Sequence, residues 1–400
     1  MSANTQATPL EGASGTTSRI PFNQPAQVGN ELAYIQDCFA RQHISGNGVY
    51  TKRCEQFFEE RFGFQKALMT TSCTDALEMA AMLINIQPGD EVIVPSYTFV
   101  SSANAFVLRG AKIVFADSEA QTPNIDVAQL AALITPKTKA IVVVHYAGMA
   151  CQMEALVTLT KRHGLFLIED AAHAIDATYQ GKPLGSFGQL ATFSFHETKN
   201  LICGEGGLLA INDPAFIRRA EVIREKGTDR MAFFRGEVDK YTWQDIGSSF
   251  LPADYVAAYL WAQLENMEKI QAKRVAIWQT YHHRLQPVAA QGLVQLPNLP
   301  HGASNNAHMY YLLCRNLQER TFLIDFLKQA QVQAVFHYLP LHESPFYQSH
   351  HDHHRPLPNV ARYADCLVRL PLFYDLSLES VNRIADVVIE ACGQFAQPDR

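Results

Sequence analysis

The sequence predicts an α/β protein in which a large domain built on a mainly parallel sheet is followed by a smaller α+β C-terminal domain. Three observations predict it. From residue 20 onward, short apolar runs rich in β-branched residues alternate with helical stretches, and continuous apolar runs mark strands buried on both faces, as in a parallel sheet covered by helices. The 400-residue length exceeds what one hydrophobic core usually supports. Beyond a long helical stretch beginning near Pro252, the alternation of strands and helices takes on an α+β character.

Residues 1–19 are Ser, Thr, Gly and Ala with almost no large apolar side chain, so a disordered tail is expected there. The large domain is expected over residues 20–265. Its strand candidates are Glu91–Pro95, Lys112–Ala116, Ala140–His145, Leu165–Glu169, Ala191–Phe195 and Gly207–Ile211. From Pro252 to about Leu285, Val256, Tyr259, Leu260, Gln263, Leu264, Met267 and Ile270 recur at helical spacing, predicting one long helix. The smaller domain, residues 266–400, is expected to hold a strand over His308–Cys314, a helix over Arg320–Ala330, a short strand over Gln333–His337, a polar loop and a last helix from Ser377.

Composition narrows the function. Thirty-three Lys and Arg against 39 Asp and Glu give a net charge of −6, which offers no broad basic surface for nucleic acid or anionic lipid. An anionic ligand must be caught by a local site. No window approaches 18 uninterrupted apolar residues, and no signal-like segment opens the chain, so no membrane span and a cytoplasmic location are expected. The eight cysteines stand far apart without a C-x-x-C pair, which predicts reduced thiols and no metal site.

The chemistry concentrates in Leu165–Gly207. A buried strand runs into Asp170-Ala171-Ala172-His173, placing an acid just past a strand's carboxyl end, where open α/β sheets bind ligands. A second strand then delivers Ser194-Phe195-His196, followed by Lys199 and the turn Gly204-Glu205-Gly206-Gly207. An acid and a lysine at successive strand ends are what pyridoxal 5'-phosphate requires: the lysine amine condenses with its aldehyde, and the acid keeps the pyridine nitrogen protonated. The third requirement is a phosphate cup. Thr70-Thr71-Ser72-Cys73-Thr74-Asp75 supplies a hydroxyl-rich turn that opens a helix. Alone it reads more readily as an ordinary N-cap, and Asp75 is mildly hostile to a dianion.

Those segments, together with Pro95-Ser96-Tyr97-Thr98-Phe99, Val144-His145-Tyr146-Ala147-Gly148 and Ser194-Phe195-His196-Glu197-Thr198-Lys199-Asn200, resemble the DegT/StrS-type aminotransferases of nucleotide-linked keto-sugars. The resemblance runs from about residue 20 to near the C-terminus. It implies the pyridoxal-phosphate-dependent transferase fold type I, and a homodimer with shared active sites. Carried over residue by residue, Lys199 is the cofactor-binding and catalytic lysine and Asp170 the partner of the pyridine nitrogen. His173 lies beside the ring hydroxyl, Ser194, Cys73 and Thr74 hold the phosphate, and Phe99 stacks on the cofactor. Some relatives reach across the dimer with an Asn in the segment that here reads Gly247-Ser248-Ser249-Phe250-Leu251; Ser248 or Ser249 stands in for it.

Within the family, residues 95–110, Arg224–Thr228, Phe233–Gly236, Val238–Trp243 and Asp245–Ser249 are worded most like the branch that aminates dTDP-4-keto-6-deoxyglucose at C4, with L-glutamate as the usual donor. Arg224, Lys226, Arg230, Arg235 and Lys240 crowd one segment and are candidates for the diphosphate or simply a solvated charged loop. The run His350-His351-Asp352-His353-His354 reads as a solvent loop rather than a metal site, and the segment His337–His342 matches a family segment, with histidines that read as packed or structural. Amination at C3 is the alternative regiochemistry. A related dehydratase carries histidine in place of the lysine, and a non-catalytic regulator of the same fold would have no need of Lys199, Asp170 and Ser194.

Overall fold

The structure, a computed structural model, describes residues 19–350 and 355–395. Most of the expected tail and residues 351–354 of the histidine run lie outside the described residues. A central sheet holds β1 (Lys66–Thr70), β2 (Glu91–Pro95), β3 (Lys112–Ala116), β4 (Thr138–Val144), β5 (Phe166–Asp170), β8 (Leu190–Ser194) and β9 (Gly207–Ile211), with the two-residue hairpin strands β6 (Thr178–Tyr179) and β7 (Lys182–Pro183) set apart from it. The order across the sheet is β1-β9-β8-β5-β4-β2-β3. The pairs β2–β3, β2–β4, β4–β5 and β5–β8 are parallel, while β9 runs antiparallel to both β8 and β1. β1 therefore points the same way as the parallel strands, and the carboxyl ends of β1, β2, β4, β5 and β8 meet on one edge.

The apolar runs are continuous because alternate side chains enter different cores. Ile93, Ile141, Val143 and Leu167 belong to one buried cluster, while Val92, Val94, Ala140, Val142 and Ile168 belong to the one on the opposite face. A third cluster joins Ile277, Tyr281 and Leu285 to Leu323, Leu327, Ile384 and Val388 around β10 (Tyr310–Leu313) and β11 (Leu367–Leu370).

Two expectations need correction. The single long helix is two, Asp254–Glu265 and Met267–Ala290. The break falls at Asn266, whose backbone leaves helical geometry (φ −108°, ψ 13°) while its side-chain amide donates back to the Ala262 carbonyl at 2.9 Å, a local competition typical of Asn. The expected strand over Gln333–His337 contributes only a bridge, Val335 to Arg369. The strand that pairs with β10 is instead β11, antiparallel in the register Tyr311–Arg369. The later helix begins at Leu317 because Asn316 caps it, accepting from the Glu319 amide.

Candidate active site

The carboxyl ends of the strands surround a cavity of about 480 Å³. Seven of the predicted residues line it: Cys73, Thr74, Phe99, Asp170, His173, Ser194 and Lys199. The eighth, Ser248, does not. It is exposed, and its backbone bonds to Ile223 and Lys226 of the same chain.

The cup forms where β1 gives way to the helix Cys73–Leu83. Ser72, extended at φ −156°, caps that helix by accepting from the Asp75 amide at 3.1 Å. The first backbone acceptor claimed is Ser72, by Ala76, so the Cys73 and Thr74 amides precede the helical ladder and are available to an anion. Thr74 Oγ1 lies 2.8 Å from Ser101 Oγ. Asp75 is turned aside, its carboxylate accepting from the Thr71 hydroxyl, so the feared repulsion is aimed away from the cup. Gly207 at the start of β9 backs it: a Cβ there would stand 2.3 Å from Ser72 C and 2.4 Å from Cys73 N.

β5 carries two consecutive acids into different environments. Glu169 is fully buried and accepts from the amides of Gly185, Phe187 and Gly188 at 2.7–2.8 Å and faces His145 Nε2 at 3.0 Å. Asp170 faces the cavity. Its Oδ2 accepts from Ser102 Oγ at 2.6 Å and its Oδ1 from the Ala172 amide at 3.1 Å, which leaves lone pairs for a further partner. Burial pushes its carboxyl above the usual range, and Ser102, Ala172, Lys199 and His145 pull it back.

Lys199 follows β8, and burial lowers its amine to about 8 against the opposing pull of Cys73 and Asp170. His173 stacks on His308, with ring centroids 4.2 Å apart and planes at 16°, and burial holds both rings well below the ordinary histidine value, hence neutral. His308 Nδ1 sits 2.7 Å from Asn200 Oδ1, and Asn200 Nδ2 donates to Gln271 and the Asn306 carbonyl. A neutral His308 therefore donates from Nδ1. His173 Nδ1 is buried with no partner, the kind of atom a bound ring hydroxyl satisfies. Together with the open cup, the depressed lysine and the incompletely paired Asp170, this is a donor set that fits pyridoxal phosphate.

Several residues that build the site escaped sequence reasoning. Ser102 holds Asp170 from a helix, while His308, His337, Tyr338 and Arg369 arrive from the C-terminal part of the chain. His337 Nδ1 reaches Tyr146 OH at 3.1 Å. His342 lies outside the cavity, with Nδ1 2.7 Å from Ser96 Oγ. Among the five clustered cations, Arg224 must be withdrawn as a diphosphate ligand: it is buried and bonds to Glu55 and Asn47. Arg235 pairs with Glu221 and Glu237, whereas Lys226 and Lys240 are exposed. The cysteines are free thiols. Among the described residues, no group of three or more His, Cys, Asp or Glu is placed to hold a metal ion, and no helix is long and apolar enough to cross a membrane.

Residues 25–389 match the DegT/DnrJ/EryC1/StrS aminotransferase family. Among solved structures, the chain is similar to the aminotransferase TlmJ of Streptoalloteichus hindustanus, with 29% identity and a TM-score of 0.87 over 95% of this chain and all of that one. It is similar to PseC of Helicobacter pylori, an aminotransferase of pseudoaminic acid biosynthesis, with 26% identity and a TM-score of 0.86 over 94% of this chain and all of that one. It is also similar to Spr1654 of Streptococcus pneumoniae in its PLP form, with 25% identity and a TM-score of 0.87 over 95% of this chain and all of that one. The expected pyridoxal-phosphate fold type I is thus the fold observed.

Proposed function

We propose that this chain, which belongs to the DegT/DnrJ/EryC1/StrS aminotransferase family, transfers the amino group of L-glutamate to C4 of dTDP-4-keto-6-deoxyglucose to give dTDP-4-amino-4,6-dideoxygalactose. It is a pyridoxal-phosphate-dependent aminotransferase. The observation that carries the reading is one cavity bringing together a lysine of lowered pKa, a buried acid and an open anion cup. The narrower assignment, to the dTDP-4-amino-4,6-dideoxygalactose transaminase branch, is supported by the wording of residues 95–110, Arg224–Thr228 and Phe233–Ser249, since loops carry specificity.

When bound, pyridoxal phosphate supplies an aldehyde to carry the amino group and a protonated ring to draw off an electron pair. The residues divide the remaining work. Cys73, Thr74 and Ser194 hold the phosphate, Asp170 keeps the ring nitrogen protonated, His173 meets the ring hydroxyl and Phe99 covers the ring. Lys199 Nζ, partly neutral near physiological pH, takes a proton from the donor's α-carbon and later delivers one to the sugar carbon. Phe99 at the cavity is 57% exposed and the adjoining Val100 is 52% exposed, which supports a homodimer in which a second subunit covers the mouth and contributes Ser248. A cytoplasmic location accords with the nucleotide-sugar substrate.

The test is to incubate holoenzyme with dTDP-4-keto-6-deoxyglucose and L-glutamate and to assign the product by NMR. A C4 amine of galacto configuration is expected. A C3 amine or a gluco product would overturn the regiochemistry, and no amine at all would overturn the substrate.

A further inference from the structure

His173 is placed to meet the ring hydroxyl, yet no hydrogen bond to its own ring is found among the described residues, and its Nδ1 is buried without a partner. The torsion that turns an imidazole about its Cβ–Cγ bond is broad and roughly twofold, so what packs on this ring has to set its plane. One face lies on His308, with centroids 4.2 Å apart and planes at 16°. Tyr146 meets it edge-on, with centroids 5.9 Å apart and planes at 78°. His308, by contrast, is held through its ring, its amide and its carbonyl. Nδ1 donates to Asn200 Oδ1 at 2.7 Å, the amide donates to Asn306 Oδ1 at 3.1 Å, and the carbonyl accepts from the buried Arg274 guanidinium at 2.7 Å. Asn306 grips both histidines, since its Nδ2 also donates to the carbonyls of His173 at 2.7 Å and Ile175 at 2.9 Å. The chain bends sharply to deliver His308. Ala307 is left-handed at φ 49°, an unfavourable conformation for a residue with a Cβ, of a kind that persists where the surroundings over-determine it and that clusters at functional sites. Asn305 Oδ1, accepting from the Ala307 amide at 2.8 Å, and Arg274 Nε, donating to its carbonyl at 3.2 Å, hold the bend.

Resting on the placement of His173 beside the ring hydroxyl of pyridoxal phosphate, we infer that His308 is a positioning residue whose ring fixes the plane of His173 and so aims it at that hydroxyl. A flat ring in stacking contact stops its neighbour from tilting, whereas an aliphatic side chain of similar volume leaves it free to tilt. A hydrogen bond weakens steeply once its donor and acceptor are misaligned, so the plane of His173 decides how well the hydroxyl is held. Asn200 directly follows Lys199, and its bond to His308 ties the stacking ring to the loop that carries the reactive amine. The C-terminal part of the chain thereby acts on the cofactor through a residue that does not touch it.

The test compares pyridoxal phosphate with 3-deoxypyridoxal phosphate, the same cofactor without its ring hydroxyl, by equilibrium dialysis against wild type and variants of the full chain. The intrinsic difference between the two cofactors is common to every variant, so the change in the ratio of their Kd values reads the hydroxyl contact. His173→Ala and His308→Ala are each expected to lower the wild-type preference for the hydroxyl-bearing cofactor roughly five- to tenfold, the scale of one hydrogen bond. His308→Phe keeps a flat ring and gives up Nδ1, so it should hold the preference to within about twofold, as no bond to the cofactor is lost. His308→Asn keeps a donor toward Asn200 and gives up the ring, and should behave like His308→Ala. If His308→Ala does not fold, the contrast between His308→Phe and His308→Asn carries the test. A merely structural role would weaken both cofactors equally. An unchanged ratio in folded His308→Ala or His308→Asn, with the ratio lowered in His173→Ala, would overturn the inference and leave the contact of His173 standing. Loss of the preference in His308→Phe with its retention in His308→Asn would overturn it in favour of the bond to Asn200. A wild-type ratio no different from that of His173→Ala would overturn the placement of His173, and the inference with it, while leaving the aminotransferase assignment untouched.

Discussion

The ionisation of Lys199 can be tested before any substrate is added. Its amine is brought to about 8 by burial, with Cys73 and Asp170 opposing the fall. At pH 7, a group with that pKa is neutral in roughly one molecule in ten, against about one in 3,000 for a free lysine, an advantage of about 300-fold in reactive amine. The sign follows from the charge: burial disfavours the cation, so the neutral form gains ground as pH rises through 8 and not through 10. Pulsed acetylation of cofactor-free protein across pH 6–11, with the Lys199 peptide quantified by mass spectrometry and a short lysine peptide as internal standard, measures the midpoint directly. Asp170→Asn removes one of the two groups that oppose the fall, so its midpoint should lie below the wild-type value. A wild-type midpoint coincident with the standard, or an upward shift in Asp170→Asn, would refute the reasoning.

Three further outcomes are expected. Asp170→Asn should cut kcat about 10³-fold, the scale of losing a preorganised electrostatic partner, while cofactor binding, measured by equilibrium dialysis, persists through the cup and Lys199. Gly207→Ala should lower stability by about 1–3 kcal/mol, the usual cost of forced overpacking, and weaken cofactor binding, because its Cβ would stand 2.3 Å from Ser72 C; Gly393→Ala, where a Cβ meets nothing within 4 Å, is the control by thermal unfolding. Mixing Lys199→Ala subunits with subunits mutated at Ser248 should restore activity in tagged, verified heterodimers, since one of their two sites regains both groups; inactive heterodimers would mean that Ser248 does not act across the dimer.

Strands buried on both faces were legible because each is a local signal: Glu91–Pro95, Lys112–Ala116 and Gly207–Ile211 are strands to the residue. β11 was not, and the reason is instructive. Its run Leu-Val-Arg-Leu is interrupted by Arg369, so a residue aimed at the cavity disguises the strand that carries it. β1 begins with Lys66, which Glu59 pairs at 2.7 Å, and lacks the β-branched richness of its neighbours. In the site, Asp170, Lys199 and the Thr-Ser-Cys-Thr turn were readable from their order along the chain. Ser102, His308 and Arg369 were not, because only folding brings their segments to the cavity, and no spacing in sequence records that approach.

The pairing of Glu169 with Asp170 bears on how such an enzyme could be redesigned. Glu169 ties the strand to the loop 185–188 and to His145 behind the sheet, whereas Asp170 faces the cavity with its own bonds to Ser102 and Ala172. Anchoring and chemistry are thereby assigned to neighbouring side chains on opposite faces. A designer seeking a different ring electronics could exchange position 170 together with Ser102 and keep the strand's anchor intact, whereas the same exchange at 169 would strand three backbone donors and unseat the platform on which any new chemistry must stand.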